Sequence, residues 1–140
     1  MSRHAFLTMF VCAIMALSGL AVSSPAQAGG RDYPPLCHSQ SVLNRIVGRF
    51  GWAERRTWHR GFQIEEIVSP QLRYQVLNGP TAIKHDHCSA RAIMTNGTSR
   101  RIYYSIERGQ GFASIGNNVR FCIVGLDPWR IYGAACSTVR

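Results

Sequence analysis

Two hydrophobic periods run along this chain. Between Ser39 and Arg60 the apolar residues Leu43, Ile46, Val47 and Phe50 recur every three or four positions, and Thr57 continues their side. That spacing predicts a helix with one face turned to a core. Ser39 or Ser41 can cap its start with a side-chain oxygen. The opposite side carries Arg45, Arg49, Trp52, Arg56 and Arg60, all within about 80° of arc at about 100° per residue. Gly48 and Gly51 each weaken a helix by roughly 1 kcal/mol. A break near Gly51 would scatter that basic stripe.

After Gly61 the period falls to two. Phe62 and Ile64 alternate with polar residues, as do Leu72 and Tyr74, and Pro70 between them marks a turn or an edge strand. Gly79-Pro80 reads as another turn. The sharpest local signal is Thr95-Asn96-Gly97-Thr98, an Asn-Gly hairpin turn. With Asn96–Thr98 as the loop, Thr95 faces Ser99. Cys88, Ala90, Ala92 and Met94 then face Ile106, Tyr104, Ile102 and Arg100, a mostly apolar face. His85, His87, Ser89 and Arg91 fall on the other face with Tyr103 and Glu107, and Glu107 becomes the cross-strand neighbour of His87. Gly109-Gln110-Gly111 ends that strand. Val119–Val124 forms another, and Gly125-Leu126-Asp127-Pro128 leads into an expected last strand, Trp129–Thr138. The expectation is an α+β domain over residues 36–140, with an amino-terminal helix packed on a four- to five-stranded antiparallel sheet.

The first 28 residues change the picture of where this domain works. Arg3 precedes an apolar run from Ala5 to Val22, and the polar stretch after it ends in Ala26-Gln27-Ala28. A basic start, an apolar middle and a small-x-small end are the marks of a cleaved secretory signal peptide. Cleavage before Gly29 removes Cys12, leaves 112 residues with no transmembrane span, and makes residues 29–35 a disordered lead-in. Four cysteines remain, Cys37, Cys88, Cys122 and Cys136, and an even count in a small exported chain predicts two disulfides. Cys122 and Cys136 flank a predicted hairpin and can bridge locally, which leaves Cys37 for Cys88. The other pairings stay open at this point.

Charge adds a surface chemistry. Loss of Arg3 leaves 15 basic residues against 7 acidic ones, a net of +8, and of the basic residues only Lys84 is lysine. Arginine offers a planar fork for phosphate and carboxylate and stacks on aromatic rings. An exported protein of this kind points to an anionic envelope component or a protein partner, although a GC-rich genome also encodes arginine in place of lysine. Nothing in the chain specifies nucleic acid. The Arg45/Arg49/Trp52/Arg56/Arg60 stripe is the candidate anion-binding face. An exposed Trp129 in Asp127-Pro128-Trp129 would be a further contact point.

The carboxyl end, FCIVGLDPWRIYGAAC, resembles that of small exported alphaproteobacterial proteins with no assigned function. Cys122, Gly125, Asp127 and Cys136 carry the likeness. The resemblance implies a periplasmic disulfide domain and supplies no activity.

His85-Asp86-His87-Cys88 is the stretch closest to a catalytic or metal signature. A His-x-His pair on a strand aims both rings to one side, and zinc and copper sites use that geometry. His38 or Glu107 would be the third ligand, because a Cys37–Cys88 bridge would draw His38 toward His87. Alternatively, His87 and Glu107 would act as an acid–base pair. A solvent-facing strand beside a disulfide explains the same residues without any cofactor. The sequence therefore favours a non-enzymatic binding module, with a small metalloprotein or hydrolase as its rival.

Overall fold

The computed structural model describes residues 34–78 and 83–140. The expected signal peptide, most of the lead-in and the Gly79-Pro80 turn lie outside them. Helix α1 spans Gln40–Ala53 and buries Val42, Leu43, Ile46 and Phe50. Ser39 precedes it, and its carbonyl accepts the amides of Val42 and Leu43 at 3.0 and 3.1 Å. Its hydroxyl bonds Ser41 Oγ at 2.9 Å and caps no amide. The helix does not break at Gly51. It continues to Ala53 and widens into one π turn, Glu54–Trp58, which ends at His59 in a left-handed conformation with φ 52°. Gly51 matters for space instead, because a Cβ there would lie 2.6 Å from Gln63 Oε1. The i→i+5 turn also moves later residues out of α phase, and Thr57 is exposed rather than joining the buried side.

Four antiparallel strands form one sheet in the order β1-β2-β3-β4: β1 Ile64–Val76, β2 His85–Met94, β3 Ser99–Glu107 and β4 Asn118–Ile123. β1 is an edge strand, so Pro70 fits inside it without costing a ladder bond. The pairing with β2 shifts between Val68 and Gln71, where Ser69 has φ 52°.

The β2–β3 hairpin keeps the expected faces but not the expected register. Met94 accepts the Gly97 amide at 2.9 Å and donates its own to Thr98, also at 2.9 Å. The loop is therefore Thr95-Asn96-Gly97, with Gly97 at φ 78°, a type I turn closed by a left-handed glycine. It starts one residue earlier than the sequence reading placed it. Cys88 consequently faces Tyr104, His87 faces Ser105, and Glu107 lies opposite His85. A two-residue shift leaves every side chain on its assigned face.

The expected fifth strand does not form. After β4 the Asp127 carboxylate accepts the amides of Ile131 at 3.0 Å and Tyr132 at 2.9 Å, which curls the chain into a turn. Left-handed residues at Gly133, Ala135 and Cys136 continue the curl. The segment folds back to place Cys136 and Val139 against Cys122.

Both expected disulfides are present. Cys37–Cys88 has its α-carbons 5.8 Å apart and Cys122–Cys136 5.7 Å. The main core lies between α1 and one face of the sheet, where Ala92, Met94, Ile102, Tyr104 and Ile106 are fully buried. Tyr104 Oη donates to the Cys37 carbonyl at 2.8 Å, and burial pushes its phenol pKa up. Asp86 is buried as well, opposite Ile106. It accepts the Leu36 amide at 3.0 Å, Gln75 Nε2 at 2.8 Å and Arg108 Nη2 at 2.6 Å. These bonds tie the segment before α1, the edge strand and the exit of β3 to one carboxylate.

Candidate functional site

The basic stripe on α1 is not a free face. Arg45 Nη1 donates to the Asn117 carbonyl, and Arg49 Nη1 donates to that of Val119 at 2.6 Å. Both side chains therefore reach from α1 to the edge strand β4 and cover part of its polar margin. An edge so occupied is a poor template for a further strand. Arg60 lies beyond the left-handed His59 and folds back onto Glu54. Its Nε and Nη2 both donate to Glu54 Oε1, the former at 2.9 Å, and its Nη1 reaches the Leu126 carbonyl at 3.4 Å. Glu54 is almost wholly buried, and a carboxylate in that position requires a partner. The Arg60 guanidinium also lies over the rings of Trp58 and Phe62, at 5.1 and 5.2 Å. Arg56 is exposed on the π turn.

Where these side chains converge, a groove of about 300 Å³ opens. Phe50, Trp52 and Arg49 line it from α1, and Trp58 and Arg60 from the turn that follows. Phe121 and Ile123 of β4 contribute as well, with Leu126, Ile131 and Tyr132 from the curled segment. Trp52 remains 59% exposed and Ile131 63% exposed. Trp129, 66% exposed, packs its indole on Trp58 with ring centroids 4.4 Å apart. All three tryptophans of the chain are thus at or beside this groove. Sequence reasoning singled out Arg49, Trp52, Arg60 and Trp129. It missed Glu54, Trp58 and Ile131, since only the π turn and the curl bring these to one place.

The histidine pair lies on the opposite face of the sheet from α1. His85 and His87 stack with centroids 6.1 Å apart, and Tyr74 stacks on His87 at 4.2 Å. Burial holds the His87 pKa below its ordinary value, with help from the nearby His85 and Arg120 charges. The Val139 backbone and Asp86 pull the other way. His87 Nδ1 is buried and has no hydrogen-bond partner among the described residues, and neither has Ser105 Oγ directly opposite. Glu107 is bound by Arg120 at 2.7 Å and by Asn118 Nδ2 at 2.8 Å. Cys88 points toward α1 while His87 points away, so the Cys37–Cys88 bridge does not carry the exposed His38 to the histidine face. Among the described residues no three His, Cys, Asp or Glu side chains gather as ligands for one metal ion. No helix among them is long and apolar enough to cross a membrane.

No protein family, no curated protein and no solved structure matches the chain.

Proposed function

We propose that this is an exported binding module, acting in the periplasm or outside the cell, which holds a protein partner in the aromatic groove between α1, β4 and the curled carboxyl segment. One observation carries the reading: an apolar groove flanked by Trp52, Trp129 and Ile131, large side chains left open to solvent. Exposed apolar side chains gathered in a concave surface mark an interaction site, and tryptophan is among the residues enriched as anchors in such contacts. The edges of the sheet do not compete, because Arg49 reaches over part of β4 and Pro70 within β1 offers no amide to a further strand. The partner's chemistry follows from charge. The chain has a net charge of +9, and exposed Arg55, Arg56 and Arg130 lie in the segments that build the groove. They favour a partner that presents acidic residues around one apolar or aromatic side chain. The two disulfides fit an oxidising compartment, as does the basic-apolar-small pattern of residues 1–28.

The test uses the mature chain and a Trp52→Ala/Ile131→Ala variant as paired baits in an envelope extract. A partner retained by the first, lost by the second and released by salt supports the reading. Its addition to the pure protein should shift the intrinsic fluorescence, since every tryptophan reports on the groove. Equal retention by both baits overturns it.

The rival, a metal-binding protein or hydrolase centred on His85, His87 and Glu107, draws on the unpartnered Nδ1 of His87 beside the unpartnered hydroxyl of Ser105. Stoichiometric zinc or copper in gently purified protein, lost in a His87→Ala variant, would favour it.

A further inference from the structure

A second charged feature lies away from the groove. Arg91 on β2 and Arg101 on β3 stand directly opposite each other, on the sheet face that α1 does not cover. Like charges in that position repel across the ladder. Both are exposed, and neither forms an ion pair among the described residues. Glu66, opposite Ile93 on β1, forms none with either. Between them opens a polar cavity of about 390 Å³, lined also by Ser89, Ser99, Gln71 and Ser69. Ser69 is in the irregularity that interrupts the β1–β2 register, with φ 52°. Such bulges re-aim side chains beside functional sites.

We infer that this cavity is an oxoanion site for a phosphate group, carried either as free phosphate or as a phospholipid headgroup. A tetrahedral oxoanion removes the repulsion between the two arginines by accepting from both guanidinium forks. The serine hydroxyls and the Gln71 amide supply the remaining donors. The volume lies within the usual range for a small-molecule site, about 300–1,000 Å³, so the phosphate can carry a small polar group. The site shares no lining residue with the aromatic groove and stands independently of it.

Inorganic phosphate added to the mature chain should raise the melting temperature along a saturable curve. Arg91→Gln and Arg101→Gln should each weaken that apparent affinity at least tenfold, whereas Arg55→Gln, which removes an exposed charge elsewhere, should change it less than twofold. Without phosphate, Arg101→Gln should melt no lower than wild type, because the repulsion is relieved. Co-sedimentation with phosphatidylglycerol vesicles, compared with phosphatidylcholine vesicles, separates the sources. Vesicle binding that phosphate competes away assigns the site to headgroups. A saturable phosphate response without vesicle binding assigns it to soluble phosphate. The inference is overturned if neither probe binds saturably, or if Arg55→Gln weakens binding as much as Arg91→Gln.

Discussion

The two faces of the sheet differ in how completely their side chains are accounted for. On the face under α1, alternate residues of β2 and β3 are apolar and buried, and most polar groups among them are matched, with Arg100 Nε, opposite Ala92, the exception among the described residues. Asp86 has three donors and the Tyr104 hydroxyl has the Cys37 carbonyl. The far face is covered at one corner only, where Cys122, Cys136 and Val139 pack with Tyr103, Val124 and Tyr132. Elsewhere it opposes Arg91 to Arg101 and, among the described residues, leaves His87 Nδ1 and Ser105 Oγ without partners. Packing dictates residue identity on the first face and leaves it largely free on the second. Groups that folding does not require are better explained by what they bind.

The largest effect that would break this comparison is at Asp86. Asp86→Ala removes the buried acceptor shared by the Leu36 amide, Gln75 Nε2 and Arg108 Nη2, while Arg108 keeps its bond to the Pro34 carbonyl. Loss of one partner of a buried pair costs roughly 3–5 kcal/mol, and urea unfolding at pH 7 should show a loss of that size. A cost below about 1 kcal/mol would mean that water replaces the carboxylate, and the face would not be sealed. The disulfides come next. By loop entropy, removal of Cys37–Cys88, with 51 residues of separation, should cost about 4 kcal/mol, and removal of Cys122–Cys136, with 14, about 3 kcal/mol. The pattern matters more than the difference. Amide hydrogen exchange in the Cys122→Ala/Cys136→Ala variant should lose protection only from about Leu126 onward. The Cys37→Ala/Cys88→Ala variant should lose it across the sheet.

The sealed face was legible in the sequence because burial imposes a period. Residues 88, 90, 92 and 94 alternate with polar ones, so their common side followed even with the hairpin loop misplaced by one residue. The helix was legible for the same reason. What escaped notice depends on distant partners. Asp86 sits between two histidines and reads as polar, while Leu36, Gln75 and Arg108, which bury it, lie 50, 11 and 22 residues away. Arg45 and Arg49 read as one stripe of the helix, but the carbonyls they reach, of Asn117 just before β4 and Val119 within it, are 72 and 70 residues distant. Trp129–Thr138 has the composition of a strand. The Asp127 carboxylate and the bridge to Cys122 overrule it.

A smaller effect separates the two faces at neighbouring positions of the same ladder. Ser105→Ala removes a buried hydroxyl that has no partner among the described residues, a desolvated group without compensation. It should leave stability unchanged or raise it by up to about 1 kcal/mol in the same urea measurement. A loss of 1 kcal/mol or more would show that Ser105 is bonded in solution, and the far face would then resemble the near one.

The smallest expected effect is the pH response of His87, and its sign is fixed by the direction of its shift. Burial and the nearby positive groups lower its pKa in the folded state below the ordinary 6.5. Between the folded pKa and 6.5 the unfolded chain therefore binds more protons, and stability rises with pH across that window. The penalty is absent at neutral pH. It grows as pH falls below about 6.5 and reaches its full value beneath the folded pKa. The groups that face the ring are Tyr74 from β1, His85 and Asp86 from β2, Arg120 from β4 and the Val139 backbone. Replacement of His87 by glutamine keeps a polar side chain there and removes the titration. The difference in unfolding free energy between wild type and His87→Gln, followed from pH 7.5 to pH 5, should change in favour of the variant as pH falls. A difference that stays flat would place the ring in solvent, where it titrates alike in both states. One that moves the opposite way would mean that the protonated ring has found an acceptor.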